Sequence, residues 1–150
     1  MPPQPSEVVV FDTEFTAWSG SMVRGWAGPG EHKEIVQIGA VALDAISFEE
    51  VRAFEILIRP TKNPTLSGYL VGLTRITNER LAREGVDFTA GIGRFLEFAA
   101  GRRLYCLGRD DKIKLYATMD NFLNFLDSGA NIQRRRDFSG RQDLATVSGI

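Results

Sequence analysis

The chain has 150 residues, 43% of them apolar and 25% charged, which is the balance of a globular domain rather than of a disordered, collagenous or coiled-coil sequence. Eighteen basic residues stand against nineteen acidic ones, so no global basic field marks the chain as a nonspecific binder of duplex DNA. A single cysteine, Cys106, excludes an internal disulfide. No apolar run reaches the roughly 18 residues of a membrane helix, and Met1-Pro-Pro-Gln-Pro5 lacks the basic-then-apolar order of a secretory signal. The reducing cytoplasm is the expected compartment.

Residues 1–6 are rich in proline and polar groups and read as a loose terminus, and residues 7–150 read as one domain. Val8-Val9-Val10-Phe11 is a short β-branched run that suits a central strand buried on both faces. From Thr16 to Lys33 the chain carries four glycines, a proline and two tryptophans with little periodicity, so a long functional loop is expected. Ile35–Leu43 predicts a second strand, a polar turn comes next over Asp44–Ser47, and Val51–Ile58 predicts a third strand ending at Arg59-Pro60. Leu66–Leu73 predicts a short helix, and a further helix begins after Thr77, a natural N-cap. Phe88–Ala99 places Ile92, Phe95, Leu96 and Ala99 at helical spacing, and Gly101 stops it. Leu104–Leu107 predicts a fourth strand and Asp110–Phe125 another helix; the tail from Asp127 is polar. The order, three strands, helices, a strand and a helix, defines an α/β domain with a mixed sheet: an antiparallel meander of three strands plus one parallel strand, flanked by helices.

Two carboxylates, Asp12 and Glu14, come directly after the first strand's apolar run with one residue between them. Strand alternation turns both to one face and Phe11 and Phe15 to the other. Neighbouring carboxylates repel, and keeping both charged in a partly buried place favours a hard divalent cation with oxygen ligands. Two solvated acids at an exposed strand end are the alternative.

The segment Val-Val-Phe-Asp12-Thr-Glu14-Phe-Thr, and after it Glu34-Ile-Val-Gln37-Ile-Gly-Ala-Val, resembles the first motif and second strand of the DEDD (DnaQ-like) 3′–5′ exonucleases. Ile58-Arg59-Pro60, Leu66-Ser67 and Leu73-Thr74-Arg75-Ile76-Thr77 resemble that superfamily's third strand and its Leu-Thr-x-Ile-Thr segment. The nearest flavour is the histone-mRNA and siRNA-trimming group with its bacterial relatives. The resemblance runs from about Val8 to Asp111 and implies a ribonuclease H-like fold.

The resemblance further implies metal-dependent hydrolysis from the 3′ end of single-stranded RNA or DNA, with two Mg²⁺ or Mn²⁺ ions in the complete site. Asp12, Glu14 and a third carboxylate, Asp110 with Asp111 as runner-up, would be the catalytic and metal-holding set. An acid capping the next helix is the other reading of Asp110 and Asp111. Thr13, Phe15 and Thr16 would lie on the substrate side, and Leu73 and Thr74 would press against the terminal base; Leu73 can also be read as a helix-end core residue. The superfamily's His-x-x-x-x-Asp is absent from the 150 residues, and the one histidine, His32, reads as an exposed loop residue. That departure makes the C-terminal part of the domain incomplete and leaves a weak or inactive nucleic-acid-binding module as the alternative function. It also implies an uncovered apolar sheet surface and a homodimer. Trp18 and Trp26 could stack on bases or form the loop's own small core. Phe95, Phe98, Phe122 and Phe125 read as core, and Arg134-Arg135-Arg136 as a phosphate contact or a solvated charge run.

Overall fold

The computed structural model describes residues 6–106. Within them run β1 (Glu7–Phe15), α1 (Ser21–Arg24), β2 (Ile35–Asp44), β3 (Glu50–Leu57), α2 (Gly68–Thr74), α3 (Asn78–Glu84), α4 (Phe88–Ala99) and β4 (Arg103–Cys106). The strands form one mixed sheet in the order β3-β2-β1-β4, with β1 to β3 an antiparallel meander and β4 parallel to β1. This is the mixed α/β arrangement that the element order predicts and the ribonuclease H-like fold that the resemblance implies. The helix expected over Asp110–Phe125 lies outside the described residues, as do Phe122, Phe125 and the polar tail.

Two compact units divide the chain. One gathers the residues up to Asp12, Ala40–Ala53 and those from Leu96 onward; the other gathers Thr13–Gly39 and Phe54–Phe95. In the first, β1 and β4 pair with Val9 opposite Leu104 and Phe11 opposite Cys106. Val9, Phe11 and Leu104 are buried, together with Ala40, Ala42 and Ala99. Each buried Val, Leu or Phe side chain stabilises the fold by about 1.5–3 kcal/mol. Glu7 accepts hydrogen bonds from Arg102 at 2.5 Å and Arg52 at 3.1 Å. Those two guanidinium groups, Arg102 foremost, hold its carboxyl below the usual glutamate value. Arg52 also lies over the Phe98 ring, 4.8 Å from its centre, so Phe98 is covered by a cation rather than sealed in the core. Gly101, at φ 72°, takes the left-handed turn after α4 that a side chain would oppose. The β2–β3 turn is held by Asp44, whose Oδ1 accepts from the backbone N–H of Ile46 (2.9 Å) and Ser47 (2.8 Å).

The second unit is built around Val36, Leu57, Leu66, Leu70, Ile76 and Leu81, with Ala17 and Val71 against them. Helix α2 starts where Ser67 Oγ accepts from Leu70 N (3.1 Å), and α3 where Thr77 Oγ1 accepts from Arg80 N (3.1 Å). Such caps contribute about 1 kcal/mol each. Phe95 is fully buried, its ring tilted against Phe54 at 6.0 Å between centroids. Helix α4 comes close to the sheet end at Gly91: a Cβ there would lie 2.6 Å from Ile58 Cγ1. Ile58 extends β3 by a bridge to Val86. At the C-terminus of α2, Arg75 takes φ 64° and ψ 10°. For a residue with a Cβ this left-handed turn costs about 1–2 kcal/mol relative to glycine.

Two expectations need correction. Strand β1 is not buried on both faces: Val9, Phe11, Thr13 and Phe15 are buried, whereas Val8, Val10 and Glu14 are half-buried and Asp12 is exposed. A β-branched run suits one buried face as well as two, so composition could not decide between them. The stretch from Thr16 to Lys33 is likewise not an unstructured loop, since it contains α1 and a set of internal hydrogen bonds.

Candidate active site

The alternation along β1 sets the site. Thr13 (5% exposed) and Phe15 (9%) turn inward, so Asp12 and Glu14, one residue out of phase, share the outward face. Strand β4 pairs in parallel with β1 as far as Phe11 opposite Cys106. The chain therefore leaves β4 at the same end of the strand pair at which β1 presents Asp12. Asp110 and Asp111 come four and five residues later and lie outside the described residues. Among the described residues no three acidic, histidine or cysteine side chains gather into a metal-holding group. Strand β1 offers two hard oxygen donors on one face. Cys106 pairs with Phe11 and so belongs to the opposite, inward face. The donor chemistry fits Mg²⁺ or Mn²⁺ rather than a soft metal.

Directly after β1 the chain is pinned. Thr16 N donates to Glu34 O (2.8 Å), Glu34 N donates to Thr16 Oγ1 (2.9 Å), and that hydroxyl donates to His32 O. The Trp26 indole N–H donates to Thr16 O at 2.7 Å. All of Thr16's polar groups are thus engaged within the loop, and the residue is 2% exposed. These bonds fix Thr16 within the loop. The Thr13 and Phe15 side chains face the core in the same way.

The loop itself is a folded unit. Lys33 Nζ sits 4.2 Å from the Trp26 ring centre and 4.5 Å from that of Phe15, a cation between two aromatic rings. Arg24 pairs with Glu31 and donates to Ser19 O at 3.0 Å; the Arg24 contact lowers the Glu31 carboxyl below its usual value. Trp26 is therefore part of the loop's own packing. His32 is exposed, as its position predicts, and its backbone N–H donates to Asn63 Oδ1 at 3.2 Å.

Glu34 closes the arrangement. Its carboxylate accepts from the backbone N–H groups of Thr61 (2.9 Å), Lys62 (3.1 Å) and Asn63 (2.9 Å) and from the Thr61 hydroxyl (3.1 Å). Burial raises its pKa, but the Lys62, Asn63 and Thr61 amides more than offset that and leave it lowered. The side chain and backbone of this one residue tie the turn at 61–63 to the end of β1.

Leu73 is 65% exposed on α2, so the alternative of a helix-end core residue does not hold; Leu70 fills that role at 1%. Thr74 turns its hydroxyl back onto the helix, donating to Leu70 O (2.9 Å) and accepting from Ile76 N (3.2 Å). Sequence reasoning missed three residues here. Lys33 left no signal. Glu34, with a polar turn after Pro60, left a faint one. Arg75 left the clearest, being a bulky residue where a helix end calls for glycine. Arg134-Arg135-Arg136 lies outside the described residues.

Comparison with known proteins places this site in a class. The family model described as Exonuclease (RNase_T) matches residues 9–107, and the chain belongs to that family. Among solved structures, the nuclease domain of 3′hExo, a DEDDh family member bound to rAMP, superposes with a TM-score of 0.65 at 21% identity, over 79% of this chain and 60% of that one. Cell-death related nuclease 4 gives 0.62 at 17%, over 93% and 55%. The complex of exonuclease I with the SSB C-terminus gives 0.51 at 16%, over 69% and 20%. At these identities the likeness is one of fold, and the chain spans three-fifths or less of each of these structures. No curated protein matches it in sequence.

Proposed function

We propose that the chain is a metal-dependent exonuclease domain that hydrolyses phosphodiester bonds from the 3′ end of single-stranded RNA or DNA. The observation that carries this reading is the face of β1 in a member of the exonuclease family: Asp12 and Glu14 turned outward, Thr13 and Phe15 turned in. Asp12 and Glu14, with Asp110 or Asp111, are the residues that would hold Mg²⁺ or Mn²⁺. When bound, such ions supply Lewis acidity to the phosphoryl oxygens, the attacking water and the departing 3′ oxygen. The protein's own part is positioning. Phe11 and Phe15 in the core fix the strand, and the Thr16–Glu34 bonds fix the chain that leaves it. Leu73, projecting from α2, offers an apolar edge for the terminal base. The rAMP bound to the 3′hExo nuclease domain supports a nucleotide-binding site in this fold.

The test is cleavage of 5′-labelled single-stranded RNA and DNA with Mg²⁺ or Mn²⁺, comparing the protein with Asp12→Ala. Stepwise shortening from the 3′ end that is lost in Asp12→Ala is the expected result. Mn²⁺ binding that depends on Asp12 without cleavage would favour a binding module that retains part of the site. Neither cleavage nor Asp12-dependent Mn²⁺ binding would sink the reading.

A further inference from the structure

Three of the large apolar side chains that lie bare fall within one hairpin tip: Ile46 (90% exposed), Phe48 (68%) and Val51 (49%). The tip joins β2 to β3 and closes without their help. Asp44 Oδ1 holds the backbone N–H groups of Ile46 and Ser47, Phe48 N donates to Asp44 O (3.0 Å), and Asp44 N donates to Glu49 O (3.0 Å). Phe48 takes φ 59°, a left-handed turn position at which glycine is usual and a bulky side chain is strained. Trp26, also at positive φ, has its indole bound to Thr16 O and packed by Lys33, so local contacts account for a large side chain there. The Phe48 ring has no aromatic or cationic partner among the described residues. Strain that neither packing nor the turn explains points to a side chain with a task outside the fold.

The charges beside the tip indicate the task. Glu49 and Glu50 follow Phe48 directly, are exposed, and form no ion pair among the described residues. The nearest basic residue along the chain, Arg52, is engaged elsewhere, bonded to Glu7 at 3.1 Å and lying over the Phe98 ring. The tip is therefore an apolar centre beside uncompensated negative charge. That charge repels phosphate, which disfavours nucleic acid and an anionic membrane, and two copies meeting tip to tip would set carboxylates against carboxylates. Its complement is a second protein with an apolar pocket bordered by Lys or Arg, into which an aromatic anchor fits. The tip also stands clear of the carboxylate face. Ala45 N donates to Ser6 O (3.0 Å), which sets it beside the start of β1, and six residues of extended chain, about 20 Å, separate Ser6 from Asp12.

We propose that the β2–β3 tip is a docking knob for another protein, with Phe48 and Ile46 entering an apolar pocket and Glu49 and Glu50 meeting basic residues on its border. The inference does not depend on the nuclease reading. The test places a benzophenone photo-crosslinker at position 46 of the full chain inside the source cell, with the same probe at the exposed Arg83 as control. The expected adduct is with one protein, mapped to a surface that carries Lys or Arg, and absent from the control. Binding of that purified protein to the full chain is then measured by calorimetry over a series of salt concentrations. Phe48→Gly should weaken it about tenfold or more with no fall in thermal midpoint. Glu49→Lys with Glu50→Lys should also weaken it, and should abolish its decline with rising salt. Cleavage of single strands should be unchanged in both variants. No adduct beyond the control, or an adduct with a second copy, nucleic acid or lipid, would overturn the proposal. So would an affinity unaltered by Phe48→Gly, or a lower thermal midpoint in that variant, which would show that the ring serves the fold.

Discussion

Replacing Glu34 with glutamine tests the claim that this carboxylate holds the chain behind the site. In the wild type it receives three backbone N–H groups and one hydroxyl from residues 61–63, while its own backbone is bonded twice to Thr16. Hydrogen bonds to a charged group contribute about 1.5–3 kcal/mol when sheltered. Glu34 is only half-buried, so solvent screening brings the expected loss for Glu34→Gln to about 1–2 kcal/mol. For a chain of this size that is about 4 °C in thermal midpoint. The pH dependence has a definite sign. The folded-state pKa lies below the ordinary glutamate value of 4.5, so the stabilisation is complete well above pH 4.5 and is lost as the pH falls through the lowered folded value. Thermal unfolding monitored by circular dichroism from neutral pH downward should show a constant gap between wild type and Glu34→Gln that narrows in acid. No gap at neutral pH, or a gap that widens as the pH falls, would refute the argument.

Thr16→Val keeps shape but removes the hydroxyl between Glu34 N and His32 O; with these two part-buried hydrogen bonds lost it should lower stability by about 1–2 kcal/mol in urea unfolding. Thr16→Ser should retain most of that. Two glycines of α4 make an opposed pair. Gly91→Ala gains helix propensity but drives a methyl into Ile58, which is 1% exposed, so a net loss of about 1 kcal/mol is expected. Gly93→Ala meets open space and should stabilise by about 0.5–1 kcal/mol, read in the same unfolding experiment.

Much of the frame was legible because its signals are local and periodic. Thr77 as an N-cap, Phe95 in the core and Gly101 at the end of α4 each stem from a spacing or a backbone requirement that a single segment expresses. The outward pair Asp12 and Glu14 was legible for the same reason. The features that escaped depend on contacts between residues far apart in the chain. Nothing near Lys33 announces that Phe15 and Trp26 will flank it. Nothing near Thr16 announces that Glu34 and His32 will occupy its hydroxyl.

That anchoring bears on how the site is held. In a strand, a shift of one residue exchanges the two faces, so a slip of β1 would bury Asp12 and Glu14 and expose Thr13 and Phe15. Pairing with β4, from Val8 opposite Arg103 to Phe11 opposite Cys106, and with β2 on the other side opposes such a slip. The C-terminal end of the strand is anchored as well. Thr16 is bonded to Glu34, and Glu34 to the turn at 61–63. The carboxylate face thus depends on the pairing of β1 within the sheet and on the Thr16–Glu34 bonds that follow Phe15. Residues that take no part in the chemistry decide which face the chemistry occupies.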